Sequence, residues 1–319
     1  MTLMQLQAFL TAAARGTFTA AADELKMSQP AISDLIRRLE DELGTKLFHR
    51  GRSLVLTDAG EQLLPHAEQA VTSARLGAQA VRSQLDLAGG TATFGLLRNA
   101  DFYLRADLAQ RFRTRYPKVR VRLVGQHSAE TAQSVASGSL EAGLLTLPVP
   151  DEGLDIVPLA RDELLYVTAD AARAHTPPTI DDFCGVPLVL YDAHHAAADP
   201  ARRQLAERAQ LAGRRIEPVI EVEYLSTALT LVKERFGDSV IARAATLSGV
   251  MPDNLHTTPF AEPLYETLAL VRRRGQILSP ATREMARMAW DSLVEHQSGL
   301  HGTVEITAST RQLRSFFGT

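Results

Sequence analysis

Apolar positions recur every three or four residues through the first sixty of the chain, which predicts a series of short helices. Leu3, Leu6, Leu10 and Ala13, with Phe9 beside them, make one helical face that Gly16 closes. A second helix, opened by the hydroxyl of Thr17 or Thr19, runs through Ala20, Ala21 and Ala22 to Leu25, small side chains that let helices cross closely. Lys26 and Met27 turn the chain. Ser28 then caps a third helix, with Pro30 in its first turn, where the missing N–H costs nothing because that donor has no intrahelical partner. Ile32, Leu35, Ile36, Leu39 and Leu43 form its apolar stripe. The other edge carries Gln29, Pro30, Ser33, Asp34 and Arg37, short or flexible polar groups that reach base edges and phosphates from a helix lying in the major groove. Leu47-Phe48 and Leu54-Val55-Leu56 pair across His49 to Ser53 as a two-stranded wing. Its basic tip puts Arg50 and Arg52 where they can enter a minor groove or clamp phosphate.

Thr57 or Asp58 opens a longer helix, and Asp58 with Glu61 has capping-box spacing. Leu63, Ala67, Ala70, Ala74, Ala78, Val81 and Leu85 keep a small apolar seam over about thirty residues, roughly 45 Å of helix. A partner helix is the simplest cover for it. Gly89-Gly90 breaks the helix. From Thr91 strands alternate with helices: Thr91–Leu97, a helix after Asp101 with Leu104, Leu108 and Phe112 on one face, then Val119, Val121 and Leu123 alternating. A helix from Ser128 and the strand Ala142–Leu147 continue this parallel α/β rhythm. A second series follows: strand Leu164–Thr168, helix Ile180–Phe183, strand Leu188–Tyr191, helix Asp199–Leu211, strand Val219–Val222, helix Ser226–Phe236 and strand Val240–Ala242. Leu268–Val271 returns to the first series, and Ser279-Pro280 opens a last helix packed through Met285, Met288, Ala289 and Leu293. Two lobes joined near Arg161 and Tyr265 imply a hinge and a cleft. After His296 the pattern fades into a tail of uncertain structure.

The run Gly16 to Ala22, then Leu25, Ser28-Gln29-Pro30-Ala31-Ile32-Ser33, Leu39-Glu40, Leu43-Gly44, Leu47-Phe48-His49-Arg50 and Leu56-Thr57-Asp58-Ala59-Gly60 resembles the LysR-type transcriptional regulators in order and spacing. The resemblance reaches residue 296 or so. It implies an N-terminal all-α winged helix-turn-helix over 1–58, a linker and dimerisation helix over 59–89, and a C-terminal α/β two-lobed periplasmic-binding-protein-like effector domain over 90–296. Lobe 1 would take about 90–161 and 266–296, lobe 2 about 162–265, with a tail at 297–319. It further implies DNA contacts at Gln29, Pro30, Ser33 and Arg37 with Arg50 and Arg52 in the wing, and effector contacts at Arg98, Asn99, Ser128, Arg202, Ser226 and Thr227. The expected partners are double-stranded DNA bearing an inverted-repeat operator, a small polar or anionic effector, a second or further copies of the chain as homodimer or homotetramer, and RNA polymerase.

Several residues carry two readings. Ser128 and Ser226 serve either as caps or as ligand groups; Arg202 is either a solvated helix residue or an anion contact; Asn99 serves either its own turn or the ligand. Arg98 stands where relatives often carry small hydroxyls, and it either pairs with a carboxylate or phosphate of the effector or is neutralised by Asp101. Glu141 replaces a common aspartate, and Ala242-Arg243-Ala244 lacks a common proline. Asp34 beside phosphates either accepts from a cytosine amino group or pairs with Arg37 or Arg38.

A net charge of −3 means that any DNA-binding surface comes from local placement of charge. The single cysteine, Cys184, forms no internal disulfide and no multi-cysteine zinc site. His194-His195 lacks the spacing and company of a metal site, so no metal and no cofactor is expected. No membrane-length apolar run or signal peptide is evident, which leads to the expectation of a soluble cytoplasmic protein without a membrane partner. The sequence also lacks G-x-S-x-G, G-x-x-x-x-G-K and G-x-G-x-x-G, so no enzyme is expected. The competing reading is a two-lobed small-molecule-binding protein or enzyme with an incidental N-terminal module.

Overall fold

The computed structural model describes residues 1–49, 54–83, 89–104, 107–297 and 303–318. The chain divides into two compact units, Met1–Leu85 with the short Ser137–Ser139 segment, and the remainder. Among the described residues no helix is long and apolar enough to cross a membrane.

In the first unit, helix α1 (Leu3–Arg15) starts from a reciprocal capping box between Thr2 and Gln5 and stops at Gly16, whose φ of 71° lies in the left-handed region open to glycine. Thr17 Oγ1 accepts from Ala20 N at 3.1 Å, which selects Thr17 over Thr19 as the cap of α2 (Phe18–Leu25). Ser28 caps α3 (Gln29–Leu43), with Pro30 in its first turn. Buried Ile32, Ile36 and Leu39 pack against Leu6, Phe9, Ala12, Ala21 and Leu47. Leu3 and Leu43, expected on the apolar stripes, are 49% and 42% exposed because each lies in a terminal turn beyond the reach of this small core. Glu40 is buried, where its carboxylate accepts from Leu47 N at 3.0 Å and Lys46 Nζ at 2.8 Å, tying α3 to the wing. Strands β1 (Phe48–His49) and β2 (Val55–Leu56) pair antiparallel with Phe48 opposite Leu56.

The long helix α4 (Asp58–Ser83) is capped by Thr57, whose Oγ1 accepts from Gly60 N at 3.1 Å, so Thr57 rather than Asp58 opens it. Gly60 is required by space, since a Cβ there would stand 2.3 Å from Leu47 O. Leu63, Leu64, Ala67, Ala70 and Val71 pack on the core of the first unit. The first part of the seam, Leu63 to Ala70, therefore packs on its own module, and the partner helix expected as its simplest cover is not needed there.

The second unit follows the order β3 (Thr91–Leu97), α5 (Leu108–Arg115), β4 (Arg120–Gln126), α6 (Ser128–Ser137), β5 (Ala142–Leu147), β6 (Leu154–Thr168), α7 (Ile180–Cys184), β7 (Val189–Leu190), α8 (Pro200–Leu211), β8 (Ile220–Glu221), α9 (Leu225–Lys233), β9 (Ser239–Ala242), β10 (His256–Arg273), α10 (Pro280–Gln297), β11 (Val304–Ile306) and α11 (Thr310–Phe317). Its main sheet runs β11-β6-β10-β5-β3-β4, with β9 also against β6, among the described residues. β3 pairs in parallel with β4 and β5, as the βαβ reading requires. The strands expected as separate short pieces at 164–168 and 268–271 are continuous ribbons, β6 and β10, which pair antiparallel from one lobe into the other. Arg161 and Thr267 face each other at the crossing, and the Arg161 guanidinium lies 4.7 Å from the Tyr265 ring centre.

Three local expectations change. The helix after Asp101 is one short 3₁₀ turn, Ala100–Phe102, and α5 begins only at Leu108. Tyr224, not Ser226, holds the N-cap position of α9. The tail is ordered over 303–318, with β11 pairing β6 and α11 burying Leu313, Phe316 and Phe317.

Candidate functional site

Two sites emerge, one in each unit. On α3, Gln29, Pro30 and Arg37 are exposed and Ser33 is half-buried, while Ile32, Ile36 and Leu39 anchor the opposite edge. Asp34 does not stand alone: Oδ1 accepts from Arg37 at 2.5 Å and Oδ2 pairs with Arg38 at 2.8 Å. Arg37 also reaches Asp41 at 3.5 Å. Donation from Arg37, helped by the charges of both arginines, holds Asp34 below the usual carboxylate range. Of the two open readings for Asp34, the geometry takes the pairing one. Arg50 and Arg52 lie outside the described residues. An open groove of about 870 Å³ beside the wing is lined by Glu40, Lys46, His49 and Asp58. It encloses nothing.

The second site is a cavity of about 40 Å³ between the lobes, closed from lobe 1 by Arg98, Asn99, Tyr103, His127, Ser128, Thr146 and Glu266 and from lobe 2 by Tyr191, Asp192, Asp199 and Ala242. Room for a water or a small polar head group is all that remains. Arg98 crosses the cleft, donating to Asp192 Oδ1 at 2.5 Å and Glu223 Oε1 at 2.5 Å. It is thus neutralised, but by lobe 2 rather than by Asp101. The His127 and His195 rings stack across the same gap, centres 4.4 Å apart and planes at 4°. His195 Nε2 lies 3.3 Å from Glu130 Oε1. Behind the cavity Tyr103 donates to Asp162 at 3.2 Å and reaches Glu266 at 3.4 Å.

The charge balance here is acidic. Burial, with Asp199 adding repulsion and Arg98 only partly compensating, pushes Asp192 up to about 6. Burial and the neighbouring Asp199, Asp162 and Asp192 push Glu266 to about 8, and burial takes Asp162 to about 6. Glu223, at the surface, goes down, because His194 N and Arg98 donate to it. Of the polar or anionic effector expected from the sequence, an anion would enter this cluster with the lining's arginine, Arg98, already paired.

Of the six residues named for effector contact, Arg98, Asn99 and Ser128 line the cavity. Ser128 Oγ bonds Thr146 Oγ1 at 2.8 Å and accepts from Thr146 N at 2.9 Å, so it joins α6 to β5. Arg202 is turned away onto Glu221 at 2.5 Å and Tyr191 O at 3.3 Å, and Ser226 and Thr227 are exposed on α9 outside the lining. Glu141, the departure at β5, is buried and accepts from Ser279 N at 3.2 Å, Ser279 Oγ at 2.7 Å and Thr282 Oγ1, anchoring the start of α10 rather than the pocket floor. The lining acids Asp192, Asp199 and Glu266 were missed. Only Asp199 carried a local signal, as the residue before Pro200 at a helix start.

A winged helix-turn-helix with a polar recognition edge, followed by a two-lobed α/β module with a small polar gap between its lobes, defines a DNA-binding transcriptional regulator with an effector-binding domain. Residues 3–61 match the bacterial regulatory helix-turn-helix proteins of the lysR family, and residues 86–293 match the LysR substrate binding domain. The chain belongs to the LysR family. It is 26% identical over 306 residues to the uncharacterized HTH-type transcriptional regulator YvbU of Bacillus subtilis, covering 95% of this chain and 99% of that protein. A probable RuBisCO transcriptional regulator of Trichormus variabilis is 29% identical over 264 residues, with 81% and 78% covered. Among solved structures, a full-length OxyR variant from Pseudomonas aeruginosa shares the fold at TM-score 0.68 and 22% identity, with 92% and 95% covered. Full-length CbnR complexed with its target DNA does so at TM-score 0.62 and 20% identity, with 92% and 100% covered.

Proposed function

We propose that this regulator lays α3 in the major groove, with Gln29, Pro30 and Ser33 at base edges, Arg37 at phosphate, and Arg50 and Arg52 of the wing on the flanking backbone. The observation that carries this reading is the division of α3 into a buried edge at Ile32, Ile36 and Leu39 and an exposed edge at Gln29, Pro30 and Arg37. The functional boundaries we assign are 1–58 for DNA reading, 59–89 for the linker helix and 90–296 for sensing. The chain acts in the cytoplasm as a homodimer or homotetramer paired through α4 on an inverted-repeat operator, works with RNA polymerase, and catalyses no reaction. The outer half of α4 supports pairing: Ala78 on the expected seam is exposed in the single chain. A ligand between the lobes changes the geometry of the paired modules, and coupling of about 1–3 kcal/mol suffices to alter occupancy.

A mobility-shift titration against promoter DNA tests this. Wild type should bind specifically at moderate salt. Gln29→Ala and Ser33→Ala should change base preference by about 1–3 kcal/mol per contact, whereas Arg52→Ala should weaken all sequences alike and flatten the salt dependence. Equal affinity for promoter and scrambled DNA would overturn the reading.

A further inference from the structure

We propose that the interlobe cavity takes a small hydroxylated organic cation, an ammonium group held by Asp192, Asp199 and Glu266 with a neighbouring hydroxyl against His127. The proposal rests on the effector-domain reading above and names the ligand class of that site. Three carboxylates line the gap, and Asp162 stands behind them on Tyr103. The fixed cation of the lining, Arg98, is spent on Asp192 and Glu223, so an entering anion would meet like charge with no free counter-charge in a poorly hydrated space. An ammonium brings three donors, one for each carboxylate, beside the single donors they now accept from: Arg98 on Asp192, Arg202 N on Asp199 and Tyr103 on Glu266. One organic cation already sits at the rim, since the Arg98 guanidinium lies between Asp192 of the lining and Glu223 outside it. Burial first, and then the like charge of neighbouring acids, raises Asp192 and Glu266, a cost that a cation seated among them relieves.

A separate observation marks an unfilled polar position. His127, 5% exposed, lines the cavity and accepts from Ala129 N at 3.3 Å through Nδ1, which leaves the proton on Nε2. Nε2 has no hydrogen-bond partner among the described residues and lies 3.8 Å from Asp199 Oδ2, too far to donate to it. A hydroxyl placed between them accepts from Nε2 and donates to Asp199, satisfying both. His195, stacked on His127, lies 3.3 Å from Glu130, whose carboxylate also accepts from His127 N at 3.2 Å and adds a further acid to the same neighbourhood.

Ethanolamine is the smallest probe with both groups, and glycolate is its matched anion. Calorimetric titration of the full chain should show saturable ethanolamine binding, weaker binding of ethylamine, and none of glycolate at equal ionic strength. Asp199→Asn keeps the acceptor that caps α8 at Arg202 N but removes the charge, and should weaken ethanolamine by roughly tenfold or more while leaving the circular dichroism unchanged. Glu266→Gln should do the same above pH values of about 8, where Glu266 has given up its proton. Glycolate binding as tightly as ethanolamine, or no saturable ethanolamine binding, overturns the proposal. A parallel promoter mobility shift separates the two readings: DNA binding without ethanolamine binding removes the ligand class alone, and loss of DNA binding removes the regulator reading.

Discussion

Asp34 sets how much of the recognition edge is available for DNA, because it holds Arg37 at 2.5 Å and Arg38 at 2.8 Å. Both pairs are exposed, so they orient the guanidinium groups more than they stabilise the fold. Asp34→Asn should release the two arginines toward phosphate, raising affinity for all sequences and steepening the dependence of log affinity on log salt by about one phosphate contact. Fluorescence anisotropy across a salt series measures that slope, and an unchanged slope would place the pair away from the backbone. The polar edge of α3 was legible in the sequence because its residues lie within two helical turns. Asp34 was legible only as a choice of partners, both of which it takes. Arg98 was not legible in this way: its acids lie 94 and 125 residues further along, and only the closure of one lobe on the other brings them together.

At the scale of elements, helix starts were well marked by hydroxyls and proline, and the structure keeps Ser28, Ser279 and Asp199 in those places. Lengths were less legible. β6 and β10 were expected in fragments because their apolar alternation is interrupted at Pro158, Arg161 and Asp162 and again from Ala261 to Pro263, where the ribbon leaves one lobe for the other. The last element carried a signal that went unread: Ser309 and Gln312 form a capping box, and Leu313, Phe316 and Phe317 fall on one face. Phe316 is fully enclosed, its carbonyl accepts from Arg272 Nη1 at 2.6 Å, and the Arg272 guanidinium lies 5.2 Å from its ring centre. Phe316→Ala should lower stability by about 3–5 kcal/mol, as truncations of buried aromatics do. The exposed Arg311→Ala should change it little, and urea unfolding followed by circular dichroism compares the two.

For the whole molecule the buried acids make stability depend on pH in an unusual direction. Asp162 and Asp192 titrate at about 6 and Glu266 at about 8, whereas unfolded carboxyls titrate near ~4. The folded state therefore binds more protons than the unfolded state between these values. Its advantage is complete below ~4 and is lost as pH rises, through about 6 for the aspartates and about 8 for Glu266. The melting temperature should fall between about pH 5 and pH 8, and Glu266→Gln should flatten the upper part of that fall. A melting temperature that climbs steadily over the range would contradict this. The outer edge of β6 adds a practical consequence. Val304–Ile306 of β11 cover it at Ala160–Asp162, and β9 covers it from Leu164 to Val167. A protein cut at residue 293, where the family match ends, would lose the first of these covers and bare a row of unsatisfied backbone groups beside the crossing point. Such a shortened sensor would recruit a strand from its neighbours in solution, so its ligand titrations would report on aggregates rather than on the cleft.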